Sequence, residues 1–117
     1  MAVTVMQAAP EHGGVIAQFN RAMAMETESK DLKHDIILPG VMAMLQDNSL
    51  GFYLVALKDA SVIGCLGITY EWSDWRNGMF WWIQSVFVAP EHRAQGAFTS
   101  MYRMVKTLAK SDSRSCG

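Results

Sequence analysis

The fold of this chain is decided by residues 83–102, which read IQSVFVAPEHRAQGAFTSMY. Its first six residues, IQSVFV, contain four apolar residues and are typical of a strand, and the apolar positions from Phe98 to Leu108 recur at helical spacing. A strand therefore runs through a short loop into a helix that we expect to last until Lys110. Such a loop presents unpaired backbone N–H groups and the positive end of the helix dipole to a ligand.

The loop from Arg93 to Phe98 consists of residue types that suit an anion. Gly96 allows close approach of the backbone, the small neighbours keep that approach open, and Arg93 adds a fixed positive charge. We therefore expect a phosphate group there. On spacing alone, however, glycine and small residues at a helix start are explained by the steric needs of a turn, without any ligand.

The residues up to Val88 predict a strand, two helices and three further strands. A polar loop or frayed helix end is expected at 26–34, and Pro39 with Gly40 is expected to introduce the second helix. The last three strands form an antiparallel meander. The predicted elements are a strand at 3–7, a helix after Pro10, a helix around 41–46, and strands at 52–57, 62–71 and 79–88.

Both alternating sets of side chains in the last strand are apolar. Simple alternation places Met79, Trp81, Ile83 and Phe87 on one side and Phe80, Trp82, Val86 and Val88 on the other. A strand that is apolar on both faces needs cover on both. We therefore expect a central strand with helices or loops packed against each face.

Length and composition limit the classes of function. The 117 residues, half of them hydrophobic, predict a single domain at 1–110, followed by a small polar tail at 111–117 that we expect to be disordered. A net charge of -1 argues against general binding to nucleic acid or to anionic membranes. Cys65 and Cys116 have neither metal-ligand spacing nor a disulfide framework, so we expect no metal and a reduced, cytoplasmic setting.

The run at 83–102 resembles motif A of the GNAT superfamily of acetyltransferases. That motif has a hydrophobic strand, often a proline two residues later, and then Arg/Gln-x-x-Gly-x-Gly/Ala at the start of a helix. Arg93 and Gly96 match it, whereas Phe98 stands where glycine or alanine is usual. Residues 93–102 are similar throughout to the R-x-x-G-V-F-x-x-L-Y branch of the superfamily.

The resemblance implies an α+β, GNAT-like fold with a mainly antiparallel sheet and helices on both faces, lacking the family's C-terminal strands after Lys110. It implies an N-acetyltransferase that transfers an acetyl group from acetyl-CoA to a primary amine. The strand backbone would pair with the pantetheine arm, and the loop amides would cradle the pyrophosphate. The residues so implied in cofactor binding are Val86, Phe87, Val88, Arg93, Ala94, Gln95, Gly96, Ala97 and Phe98.

The catalytic residues are less well defined. Many members of the family carry a carboxylate near the position of Gln84, and that amide could instead orient a water or the acetyl carbonyl, or simply be a polar residue within the sheet. Glu71 is a conceivable general base or a solvated loop acid. Trp72 and Trp75 could wall an acceptor pocket or cap the core.

Two alternatives to an active enzyme remain open at the level of sequence. One is a non-catalytic acyl-CoA-binding or interaction module, and the other is a truncated, inactive GNAT fragment. An uncovered strand bearing Phe80, Trp81 and Trp82 would promote aggregation, so we expect a homodimer that covers it.

Overall fold

The computed structural model describes residues 2–117, and its sheet is built in chain order, β1-β2-β3-β4. Every neighbouring pair of strands is antiparallel. The predicted fold class, a mainly antiparallel α+β sheet with helices on both faces, is confirmed. The strands are β1 (Thr4–Gln7), β2 (Gly51–Lys58), β3 (Ser61–Ser73) and β4 (Gly78–Val88), and the helices are α1 (Gly13–Glu28), α2 (His34–Gln46) and α3 (Ala97–Ser111).

The sheet separates two apolar cores, because side chains alternate between its faces. In β2, Leu54 and Ala56 face α3, whereas Tyr53 and Val55 face the other side. The core beneath α3 contains Leu54, Ala56, Ile63, Leu66, Ile68, Val88, Ala97, Met101 and Val105. The core beneath α1 and α2 contains Ile16, Ala17, Val41, Tyr53, Val55, Cys65 and Phe87.

A β-bulge in β4 changes which side chains share a face. Gly67 pairs with Ser85 and Ile68 pairs with Ile83, so Gln84 has no partner in β3. One extra residue reverses the alternation beyond it. The grouping predicted from simple alternation is therefore wrong: Trp81 packs against the same core as Val86 and Val88, while Phe87 belongs to the core beneath α1 and α2.

The segment predicted to be a disordered tail lies alongside β4 in the structure. Helix α3 ends at Ser111, and the following residues run parallel to the start of β4. The Met79 N–H donates to the Arg114 carbonyl at 2.7 Å, the Trp81 N–H to the Gly117 carbonyl at 2.7 Å, and the Cys116 N–H to the Met79 carbonyl at 3.0 Å. Backbone pairing of this kind satisfies polar groups of a strand edge and requires no hydrophobic pattern in the tail.

The second helix starts earlier than its sequence predicts. Helix α2 begins at His34, where the Lys33 carbonyl accepts bonds from the N–H groups of Ile36 and Ile37, both at 3.0 Å. Pro39 consequently lies inside the helix, although proline usually starts one. Helix α1 extends to Glu28, so the segment expected to be a polar loop or a frayed helix end starts with the last residues of this helix.

None of the helices in residues 2–117 has the length and apolar character needed to cross a bilayer. The same residues contain no group of three or more His, Cys, Asp or Glu side chains placed to hold a metal ion. Both cysteines are free thiols. Burial raises the pKa of the Cys65 thiol to about 12, so this side chain acts as part of the core.

We predict that pairing with the tail protects specific amides of β4 from hydrogen exchange. In the full chain the N–H groups of Met79 and Trp81 should exchange slowly, because both are hydrogen-bonded to the tail. Removal of residues 112–117 should accelerate both, as measured by NMR. The Ile83 amide is the internal control, since alternation points it to the same edge beyond the tail, and it should exchange fast in both proteins. Fast exchange of Met79 and Trp81 in the full chain would contradict the pairing.

Candidate functional site

A cleft of about 390 Å³ opens between α1, the carboxyl end of β4 and the start of α3. The structure brings together there every residue that the sequence assigned to phosphate and strand-edge binding, except Gln95. Residues of α1 form the opposite wall, which sequence analysis did not predict. The lining residues are Met23, Glu26, Thr27, Val86, Phe87, Val88, His92, Arg93, Ala94, Gly96, Ala97, Phe98 and Thr99.

The loop at one end of this cleft has the backbone geometry of an anion site. Ala94 and Gly96 adopt left-handed conformations, with φ of +63° and +90°. Among the hydrogen bonds of residues 2–117, none is donated by the backbone N–H groups from Ala94 to Thr99, and the first helical bond runs from the Ser100 N–H to the Gly96 carbonyl at 3.0 Å. A Cβ atom built on Gly96 would meet nothing within 4 Å. Six successive N–H donors are therefore left without an acceptor at a helix N-terminus, an arrangement that suits a phosphate.

The open edge of β4 forms a second side of the cleft. The tail occupies this edge as far as Trp81, and the Val88 carbonyl at the other end accepts a bond from the Arg93 side chain. Alternation, with the reversal at the bulge, points the N–H and carbonyl groups of Ile83 and Val86 to the free edge between them. An extended ligand can add to such an edge as another strand would.

Arg93 is held against the wall of the cleft and is not free above the loop. Its Nε donates to the Val88 carbonyl at 2.8 Å, and its guanidinium lies 3.1 Å from the Glu26 carboxylate and 5.2 Å from the centre of the Phe87 ring. Arg93 thus connects α1 to β4, and Glu26 partly compensates its charge. The backbone amides and the helix dipole are the features that remain free for an anion.

Two polar side chains near the loop had no motif to reveal them. The Lys58 ammonium donates to the Gln95 side-chain carbonyl at 2.9 Å, a contact between residues 37 positions apart that only the register of β2 and β3 creates. Gln95 is not among the residues that line the cleft. His92 lines the cleft, and its Nδ1 is buried without a hydrogen-bond partner among the described residues. A buried nitrogen without a partner is uncommon, so His92 has an unused hydrogen-bonding group next to the cleft.

The structure separates the two predicted catalytic residues. Gln84 occupies the bulge and is exposed. Glu71 lies opposite Phe80, three to four residues further along β3 than the bulge, which is about 12 Å at the usual rise of a strand. Its carboxylate accepts a bond from the Trp82 indole at 2.8 Å.

The buried side of the bulge is occupied by a tyrosine. The Tyr53 ring packs against Gly67 and the Ser85 hydroxyl, and burial raises the pKa of the Tyr53 hydroxyl above its ordinary value. Trp72 and Trp75 are 51% and 93% exposed, so neither caps the core.

Comparison with known proteins assigns the family. Residues 16–116 match the family model described as the acetyltransferase (GNAT) family. A crystal structure of a possible acetyltransferase from Clostridium difficile 630 has 38% sequence identity and a TM-score of 0.92, over 100% of this chain and 77% of that one. No curated protein matches the sequence.

More distant structures share the fold. A predicted acetyltransferase from Clostridium acetobutylicum, solved with acetyl-CoA, has 15% identity and a TM-score of 0.74, over 98% of this chain and 79% of that one. An aminoglycoside acetyltransferase from an uncultured soil metagenomic sample has 19% identity and a TM-score of 0.70, over 95% and 74% of the two chains. The resemblance noted in the sequence is confirmed by the match over 16–116 together with the 38% identical structure: this chain belongs to the GNAT acetyltransferase family.

Proposed function

We propose that the protein is an N-acetyltransferase that transfers an acetyl group from acetyl-CoA to a primary amine. The observation that carries the proposal is the cleft, in which an unpaired strand edge leads to six unpaired backbone N–H groups. One long ligand with an amide-bearing arm and a diphosphate matches both. Membership of the GNAT family supports the same donor.

The residues present fit acetyl-CoA along the whole cleft. The N–H groups from Ala94 to Thr99 would hold the pyrophosphate, and the edge at Ile83 and Val86 would pair with the amides of the pantetheine arm. The cavity beside Gly96 is open, as a phosphate close to the backbone requires. We assign no metal to the reaction.

Acetyl-CoA supplies an acetyl thioester, an acyl group already activated toward nucleophiles. The amine nitrogen bonds to the carbonyl carbon, the carbon–sulfur bond breaks, the nitrogen loses a proton and the sulfur gains one. Gln84 lies in the bulge, within the free part of the strand edge, and its amide can donate to the carbonyl oxygen or hold the water that removes the proton. Glu71 lies about 12 Å along the strand from this point, so its position suits binding of the acceptor better than proton abstraction.

A second candidate is an acyl-CoA-binding module without turnover. It is favoured by the identity of the residues at the bulge, because Ile83, Gln84 and Ser85 offer no carboxylate. A fragment without either property is the third possibility. The free thiols Cys65 and Cys116 suit the reduced, cytoplasmic setting that we propose for all three.

Release of CoA thiol from acetyl-CoA over a panel of primary amines tests the proposed activity, and calorimetry with acetyl-CoA separates binding from turnover.

Thr99→Glu should weaken binding of acetyl-CoA at least about tenfold, because it places a carboxylate on the cleft wall beside the phosphate site. The same substitution should not destabilise the fold, since an acidic residue in the first turn of a helix is favourable.

Thr107→Glu is the matched control, an exposed threonine two turns further along α3 and outside the cleft. It should leave binding unchanged. Binding without thiol release with any amine supports the module, and absence of both supports the inactive fragment. Equal affinity of Thr99→Glu and Thr107→Glu would refute the site assignment.

Lys58→Met tests whether the Lys58 ammonium contributes to phosphate binding. The Arg93 charge is compensated by Glu26, whereas Lys58 contacts only a neutral amide of the loop. We expect Lys58→Met to reduce acetyl-CoA affinity about three- to tenfold and to lessen its dependence on salt. Lys110→Met, at the far end of α3, should have no effect. An identical salt dependence in both variants would exclude this role.

We also propose that the protein forms a homodimer. The pairing of β2 with β3 ends at Gly51 and Thr69. The hairpin of β3 and β4 extends beyond this point and carries exposed aromatic side chains. Trp72 and Ile83 lie on its α3 side and Trp75 lies at its tip. Burial of two such tryptophans in a self-complementary contact would remove an aggregation-prone patch.

Size-exclusion chromatography with light scattering tests the homodimer. The protein should elute as a dimer, and Trp75→Ser should shift it toward the monomer, because the substitution removes the most exposed large apolar side chain. Leu50→Ser, an exposed position between α2 and β2, is the control and should leave the dimer intact. A soluble monomer at all concentrations would remove the basis of this proposal.

A further inference from the structure

The α1 and α2 side of the projecting hairpin carries a carboxylate fixed among aromatic rings. Glu71 pairs directly with Phe80, and Thr69 pairs with Trp82, so these side chains share one face. The Trp82 indole N–H donates to one Glu71 oxygen at 2.8 Å, and the Phe80 and Trp82 rings lie 6.2 Å apart. Trp82 is 49% exposed. The patch is therefore ordered but open to solvent.

This patch continues the cofactor cleft along the same face of the sheet. Phe87 lines the cleft, Ser85 follows it on this face, and Trp82 follows Ser85 across the bulge. Glu71 lies about 12 Å along the strand from Gln84, where acyl transfer would take place. An extended acceptor whose amine is at the bulge would place its far end at Glu71.

The charge of Glu71 has no counter-ion among the described residues. The ion pairs found in residues 2–117 are Arg21–Asp31, Lys33–Asp31 and Arg93–Glu26. The Trp82 bond uses one carboxylate oxygen and leaves the other free. The Arg76 guanidinium lies 5.1 Å above the Phe80 ring, and Asp74 lies in the adjoining turn. Arg76 occupies the aromatic surface that an incoming cation would use, and so competes with it.

We propose that Glu71, Trp82 and Phe80 form an acceptor subsite for a second, cationic group. The inference rests on the proposed N-acetyltransferase activity and names its substrate class: primary amines that carry another ammonium group about 12 Å away. The carboxylate supplies the charge, and the aromatic faces favour an ammonium over a neutral polar group. The indole bond holds the carboxylate in place.

The test compares 1,8-diaminooctane with 8-amino-1-octanol, a monoamine of matched length with a neutral end. In the thiol-release assay the diamine should have a KM about tenfold lower than the amino alcohol, with a similar kcat. Glu71→Gln keeps an acceptor for the indole but removes the charge. It should lower the ratio of the amino-alcohol KM to the diamine KM from about ten to about one. Asp74→Asn, a carboxylate in the same hairpin, is the control and should retain the wild-type ratio. Arg76→Gln should increase the ratio, because it removes the competing cation.

A binding measurement separates failure of the subsite from failure of the proposed activity. The Trp82 indole ¹H–¹⁵N resonance, assigned with Trp82→Phe, should shift saturably with the diamine in the wild type and not in Glu71→Gln. A saturable shift without thiol release would refute the acetyltransferase proposal and leave a cation site. Thiol release with equal KM values for both amines, or a KM ratio unaffected by Glu71→Gln, would overturn the subsite and leave the activity.

Discussion

Strand β4 has one more residue than its partner can match, and the arrangement of the site depends on that mismatch. Gln84 is the extra residue, and beyond it the inward and outward groups of the strand exchange places. The reversal sends Phe87 toward α1, where it forms the floor of the cleft, and leaves Val88 in the core beneath α3. Without the bulge, the carboxyl end of β4 would present the wrong side chains to both helical layers.

The outer edge of β4 is partly paired within the protein and partly free. The tail and the Arg93 side chain take its two ends, so the middle is left with unpaired backbone groups. Unpaired groups of a strand edge bind other chains readily, and a protein must cover or limit them. Here the exposed length is limited to a few residues beside the cleft. A strand edge restricted in this way is long enough for one extended ligand and short for pairing with another sheet.

Sequence predicted the features that depend on periodicity or on local spacing. The helical stripe of α3, the strands and the loop around Gly96 all follow from residues near one another in the chain, and all are present in the structure. The bulge was missed because β4 is apolar on both faces, so an extra residue causes no visible break in the pattern. The tail was missed because backbone pairing requires no side-chain signal. Lys58 approaches Gln95 only through strand register, which a single sequence does not specify.

The charged residues of the site do not have the roles that their positions in the sequence suggest. Arg93 matches the motif, but its guanidinium connects β4 to Glu26 and so stabilises the wall. In the proposed role of the loop, its neutral backbone would provide most of the attraction for an anion, through oriented N–H groups that no ion pair can neutralise. Glu71 of β3, by contrast, has no ion-pair partner among residues 2–117 and lies opposite Phe80, toward the other end of β4. One strand thus separates a region suited to phosphate from a region suited to an ammonium group, with Gln84 between them. In the proposed reaction this polarity favours one direction for the donor and the acceptor along β4, because the reversed orientation would bring like charges together.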